Sequence, residues 1–285
     1  MDELSVRVES TGGPVSDHVS PSNWHPANSR IVIFIHGYNN TKQAAKDNYS
    51  VFSKLLDGLG VSEQSMFGQI VAFYWPGDAR LGKISFLSYP TEMGPARRSA
   101  ELLANFLIPI RGPRGFPLQV ILVCHSLGNR VALELIRVLG PPSGPGSLVQ
   151  GLCLMAAAVP VAMVEDLSKL GRAARATRTR VLFSKSDTTL HWAFPPGETA
   201  AGEGFFPQAV GLFGNPIGLW ADRFDLQPYN HGDYWPGLPN DNRSAVHTAR
   251  FLGAPVPAPL SSLKPTVRTL PPAGSIASRQ IGMAA

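Results

Sequence analysis

The sequence predicts an α/β fold with a mostly parallel sheet flanked by helices on both faces. Three observations carry this. Short runs of β-branched, leucine and aromatic residues recur along the chain, and Ile31-Val32-Ile33-Phe34-Ile35 and Val120-Ile121-Leu122-Val123-Cys124 have no polar interruption. Such runs suit strands buried on both faces. Segments of helical period separate them, which implies right-handed crossovers between parallel strands. Apolar residues make up 44% of the 285 and charged residues only 16%, enough for a large core.

The elements follow in order. Leu4 to Ser10 alternates apolar and polar residues, the period of a half-buried strand. A loop rich in Pro, Ser, Asn and His runs on to Asn28, then the strand Ile31–Ile35 stops at Gly37 and Asn39-Asn40. Thr41 is placed to cap a helix to about Leu59, with Ala44, Ala45, Val51, Phe52, Leu55 and Leu56 as its apolar side. Gln69 to Trp75 is a strand ended by Pro76-Gly77, and Gly94-Pro95 opens a helix to about Ile108. The alternation continues with a strand over Leu118–Cys124, a helix over Gly128–Leu139 and a strand over Leu148–Met155. A helix over Val161–Ala174 and a strand over Arg180–Ser184 complete it. Arg172, Arg175, Arg178 and Arg180 read as a solvated helix end.

From His191 to Trp235 the texture changes. Ten of the chain's aromatics fall there among Gly and Pro, so residues 191–236 are expected to form an irregular excursion, either anchored by its aromatics or serving as a partial lid. Leu219 to Leu226 reads as a last strand and Asn242 to Leu252 as a last helix. One domain is therefore expected over residues 1–253. A Pro- and Ser-containing tail without apolar period is expected to be disordered over 254–285.

Composition also narrows the function classes. The net charge of +5 is modest, and Lys264, Arg268 and Arg279 of the acid-free tail supply three of those charges. No aromatic–basic stripe of a nucleic-acid module stands out. No apolar run reaches the roughly 18 residues needed to span a bilayer. The acidic start carries no apolar signal segment, so a cytoplasmic location is expected. Cys124 and Cys153 lie inside apolar runs and read as buried thiols in a reducing compartment. The turn after Ile35 is His36-Gly37-Tyr38-Asn39 rather than G-x-G-x-x-G, which disfavours a dinucleotide cofactor. No metal-ligand spacing is present, and no cofactor is called for. Oligomeric state is not legible.

The sharpest motif is Cys124-His125-Ser126-Leu127-Gly128, where a buried strand enters a small-x-Ser-x-Gly turn and a helix follows at once. In such a nucleophile elbow the serine is held in a strained conformation, and small residues two positions away make room for it. The helix start beside it favours developing negative charge. A serine needs a base, itself oriented by an acid. Asp187 lies just beyond the strand ending at Ser184, at the carboxyl edge where such sheets place their sites; Asp225 is the reserve. Of the seven histidines, His231 follows the last strand by a short loop and precedes Gly232, which permits a sharp turn, whereas His247 sits at helical period. Placement favours His231 as the base.

With these residues the chain resembles the α/β-hydrolase superfamily from about Arg30 to Leu252, in particular a bacterial branch of serine esterases and lipases that is largely uncharacterised. Phe34-Ile35-His36-Gly37-Tyr38-Asn39 is similar to the His-Gly oxyanion loop. Phe73-Tyr74-Trp75-Pro76-Gly77-Asp78 resembles the following strand and loop, and Leu182 to Asp187 the acid-bearing strand end. The order Ser126, Asp187, His231 is the superfamily order. The resemblance implies oxyanion donors at the backbone N–H of Tyr38 and Leu127. His36, Tyr74, Trp75, Phe205 and Phe206 are the candidates for a substrate pocket. The expected reaction is hydrolysis of a small-molecule ester or a lipid through an acyl-enzyme. Amide or thioester cleavage uses the same constellation, and a non-catalytic protein that keeps the fold is the alternative of another class.

Overall fold

Ile31 through Ile35 are all completely buried, as are Ile70 through Tyr74 and Val120, Leu122, Val123 and Cys124. These runs form the centre of one sheet, seen here in a computed structural model. It describes residues 1–8, 13–62, 64–65 (backbone only), 67–77, 93–140, 148–165, 170–175, 177–214, 218–238 and 240–256. Met1–Pro255 forms one contact-dense unit, to which every element below belongs. From residue 257 on, the expected tail lies outside the described residues.

The strands are β1 (Asp2–Arg7), β2 (Val15–Ser20), β3 (Arg30–Ile35), β4 (Gln64–Ser65), β5 (Gly68–Tyr74), β6 (Gln119–His125), β7 (Val149–Met155), β8 (Arg178–Phe183) and β9 (Asp222–Asp225). The helices are α1 (Lys42–Asp57), α2 (Met93–Leu107), α3 (Gly128–Leu139), α4 (Ala162–Glu165), α5 (Gly171–Arg175), α6 (Phe194–Ala200), α7 (Val210–Phe213) and α8 (Arg243–Leu252). The sheet order is β2-β1-β5-β3-β6-β7-β8-β9, with β4 folded back on β5. All pairs from β1 to β9 along this order are parallel, and β2 is antiparallel to β1 at the edge. After β3 the chain goes to one side to make β5, then returns to the other side to make β6. The carboxyl ends of β3 and β6 therefore lie side by side at the switch of direction, where open α/β sheets form their crevice.

Most elements lie within one or two residues of the expectation, and the departures have physical causes. The expected loop before Asn28 contains β2, whose sequence Val-Ser-Asp-His-Val-Ser buries only Val19 and so shows little hydrophobic period. In α1, Thr41 caps as expected, its hydroxyl accepting from the Ala44 N–H at 3.1 Å. The buried face is Ala45, Tyr49, Phe52, Ser53 and Leu56, while Val51 is 42% exposed. The single helix expected over 161–174 is two short ones, α4 and α5, with residues 166–169 outside the described set. Arg178 and Arg180 are not at a helix end. They lie on β8, where Arg178 donates to the Phe251 carbonyl and Arg180 pairs with Asp222 at 2.9 Å. The aromatic-rich stretch is more ordered than its composition suggests. It holds α6, α7 and β9, and β9 pairs parallel with β8 to extend the sheet.

Candidate active site

Strand β6 ends at His125, and the next residue, Ser126, turns the chain with φ 53°, in the left-handed region that costs a non-glycine residue about 1–3 kcal/mol. Its surroundings hold it there. The Ser126 N–H donates to Met155 O at 3.0 Å, and its carbonyl accepts from Ala158 N–H at 3.2 Å. The buried Asn129 carboxamide donates to both carbonyls, Ser126 O at 2.8 Å and Met155 O at 2.9 Å. Gly128 is required for space. A Cβ there would lie 2.5 Å from the backbone carbonyl oxygens of both Ile35 and His36. Gly37 likewise lets the loop after β3 approach the elbow, since its Cβ would lie 2.6 Å from that of Ser126.

Asp187 follows β8 in a turn and is fully buried. One carboxylate oxygen accepts from the Leu190 N–H at 2.9 Å, and the other meets His231 Nδ1 at 2.8 Å. His231 Nε2 lies 2.7 Å from Ser126 Oγ. The loop carrying His231 is fastened at three points. Leu226 N–H donates to Phe183 O at 2.7 Å; the Asn230 carboxamide oxygen accepts from Thr188 N–H and Oγ1; and His125 Nε2 lies 2.7 Å from His231 O. A carbonyl only accepts, so His125 carries its proton on Nε2. Burial, then the neighbouring His231, pushes the His125 pKa down to about 3, which keeps the ring neutral.

Ser126 and His231 open into a cavity of about 380 Å³. Part of its lining is carbon-rich, with Ala158, Leu190, Ala193, Phe194 and Trp235, and the lining also includes Tyr38, Asn39, Asn40 and Asn48.

A family described as an alpha/beta hydrolase of unknown function (DUF900) matches residues 17–194, a span that contains Ser126 and Asp187 and stops before His231. The chain belongs to this alpha/beta hydrolase family. Among solved structures, an esterase of the hyperthermophilic archaeon Pyrobaculum calidifontis is 12% identical, covering 81% of this chain and 76% of its own, with a TM-score of 0.45. Esterase B of Lactobacillus rhamnosis is also 12% identical, covering 82% of this chain and 78% of its own, with a TM-score of 0.42. No curated protein matches the sequence.

In this alpha/beta hydrolase the loop after β3 is braced from below. The Tyr49 hydroxyl accepts from His36 N–H at 2.7 Å and donates to Phe73 O at 2.8 Å, and Trp75 Nε1–H donates to His36 O at 2.8 Å. The His36 ring stacks on Trp75, with 16° between their planes. Of the five expected pocket residues, only His36 lines the cavity. Tyr74, the last residue of β5, and Trp75, whose ring stacks on His36, are fully buried and do not line it. Phe205 and Phe206 pack on each other and are 87% and 57% exposed, away from the cavity wall. Asp225 is exposed and accepts from the Gln227 N–H. His247 packs against Phe224 with centroids 3.9 Å apart and the rings tilted by 32°, on the buried side of α8. Gly232 has open space around it and no positive φ, so the turn there does not need a glycine. Cys124 and Cys153 are free and buried, with desolvation raising both thiol pKa values, Cys153 to about 12.

Sequence reasoning missed Asn129, Asn230 and Tyr49. Asn230 adjoins His231 and Asn129 lies three residues after Ser126, so proximity was their only signal. No helix among the described residues is long and apolar enough to cross a membrane.

Proposed function

We propose that this protein is a serine hydrolase that cleaves carboxylic esters through an acyl-enzyme. The observation that carries the reading is the continuous hydrogen-bond chain Asp187–His231–Ser126, ending at a serine that opens into a cavity. Asp187 orients the ring with the proton on Nδ1, which leaves the Nε2 lone pair facing Ser126 Oγ–H. As Oγ attacks the ester carbonyl carbon, its proton passes to Nε2, and the developing oxyanion is met by the Tyr38 and Leu127 N–H groups. The carbon–oxygen bond to the alcohol then breaks, and His231 returns the proton to the leaving oxygen. Water attacks the acyl-serine with His231 again taking a proton, so the products are an acid, an alcohol and the original enzyme. The cavity volume is in the range of small-molecule sites, and its carbon-rich wall suits an aliphatic acyl or lipid chain. The test is labelling of the intact protein by a fluorophosphonate, read by peptide mass spectrometry. An adduct on Ser126 that disappears in Ser126→Ala supports the reading; a protein that stays unlabelled and turns over no aryl ester overturns it.

A further inference from the structure

Arg7 lies at the end of β1, is only 9% exposed and points under the loop after β3. Its Nη1 donates to two backbone carbonyls, Asn40 O at 3.1 Å and Trp75 O at 3.0 Å. One belongs to the loop and the other to the end of β5. Around this clamp, Asn39 N–H donates to Gly77 O, and Gly77 N–H to Trp75 O. The Asn40 carboxamide then reaches back into its own loop, donating to Tyr38 O at 3.1 Å and Gly37 O at 3.4 Å. His36 Nδ1 lies 2.8 Å from the same Gly37 carbonyl, and His36 Nε2 takes the Trp75 N–H at 3.4 Å, so Nδ1 is the donor.

The chemical point lies in one peptide group. The Gly37 C=O and the Tyr38 N–H are opposite ends of one planar trans unit. Donors that hold the carbonyl therefore also hold the N–H, which faces away from them. Hydrogen bonds that a charged donor makes inside a protein are among the stronger ones, and a buried guanidinium is rigid and always charged.

We infer that Arg7 and Asn40 are positioning residues for oxyanion stabilisation: the guanidinium clamps the Asn40 backbone to the end of β5, and the Asn40 carboxamide fixes the peptide that carries the Tyr38 N–H. The inference rests on the proposed role of that N–H and adds a set of supports reaching back to the first strand. A donor that drifts weakens binding of the tetrahedral species more than binding of the planar ester. The signature is thus a fall in kcat with KM held.

The experiment compares the full chain with Arg7→Gln, Asn40→Ala and the double variant. The measurements are p-nitrophenyl butyrate kinetics, inhibition by butaneboronic acid, which adds to a serine as a tetrahedral mimic, and thermal melting. Loss of one oxyanion donor costs about 10²–10³ in kcat, and misalignment costs less. We expect each single variant to lose about 10-fold in kcat with KM within about 2-fold. The boronate inhibition constant should rise by a similar factor, and the double variant should be little worse than either, since both act on one peptide. The pH midpoint of kcat/KM stays put, because the His231–Asp187 contact is untouched. Folded variants with parental kcat and boronate affinity, or with a raised KM alone, overturn the inference. Asn40→Ala removes no buried charge, so it decides the matter if Arg7→Gln fails to fold. A parent chain that forms no Ser126 adduct overturns the underlying reading instead, and is recognised by the fluorophosphonate before any variant is made.

Discussion

At the scale of single residues, the proposed reaction rests on three side chains whose contacts predict a steep, non-additive response. Ser126→Ala is expected to lower kcat by about 10³-fold or more while the melting temperature changes little, since only one hydroxyl leaves a turn. His231→Ala should be nearly as damaging, and the double variant little worse than either, because the groups act as a unit. Steady-state kinetics on an aryl ester measure all three. His247→Ala is expected to leave kcat within a few-fold, since that ring packs on Phe224 and takes no part in the Ser126 contact. His247 affects stability instead. Burial first, then the charges of Arg180 and Arg250, lower its pKa from 6.5 to about 4. Between those values the unfolded chain binds a proton that the folded chain refuses, so stability falls as pH drops from about 6.5 towards 4. The check is the melting temperature followed from pH 7 to 4. His247→Phe should flatten that decline, and His125, with the same sign and a pKa near 3, should contribute to what remains, together with the carboxyls of Glu134, Glu3 and Asp241, which are held below their usual values.

At the scale of elements, the elbow works because α3 starts hard against the end of β3. The register Ile35↔Cys124 sets the two strand ends level, and Gly128 then meets two backbone carbonyls with no room for a methyl group. Neither carbonyl sits at the end of a flexible side chain, so Gly128→Ala must push β3 and α3 apart. The expected cost is about 1–3 kcal/mol, read by chemical denaturation, together with a fall in kcat as the loop carrying Gly37 shifts. Gly232→Ala provides the contrast: nothing lies within 4 Å of its Cβ, and stability should change by less than about 0.5 kcal/mol.

At the scale of the whole molecule, the cavity is assembled from segments far apart in the chain: the loop after β3, α1, the elbow, the stretch after Asp187 and the loop carrying His231. Its carbon-rich wall comes from Leu190, Ala193 and Phe194 rather than from the aromatic pair Phe205 and Phe206. If this wall receives the acyl chain, Phe194→Ala should change kcat/KM differently for short and long acyl esters. One methylene in such a pocket is worth roughly 1–3 kcal/mol, and a chain-length series of aryl esters detects that. Phe205→Ala and Phe206→Ala should leave the profile unchanged, because both rings are exposed and lie outside the cavity lining.

The parallel strands, the elbow and the order Ser126, Asp187, His231 were legible in the sequence because each is a local signal. A strand buried on both faces is a run of apolar residues, and an elbow is five residues between a strand and a helix. Placement after the last strand likewise favoured His231 over His247, and His231 Nε2 lies 2.7 Å from Ser126 Oγ. What the tertiary structure alone decided is set by partners distant in sequence. His231 meets Ser126 across 105 positions, and Arg7 meets Trp75 across 68. The edge strand β2 buries too little to announce itself, and Tyr74 and Trp75 look like pocket aromatics until packing buries both completely. Composition reports which side chains exclude water; only the packed chain determines which of them face the cavity and which support it from behind.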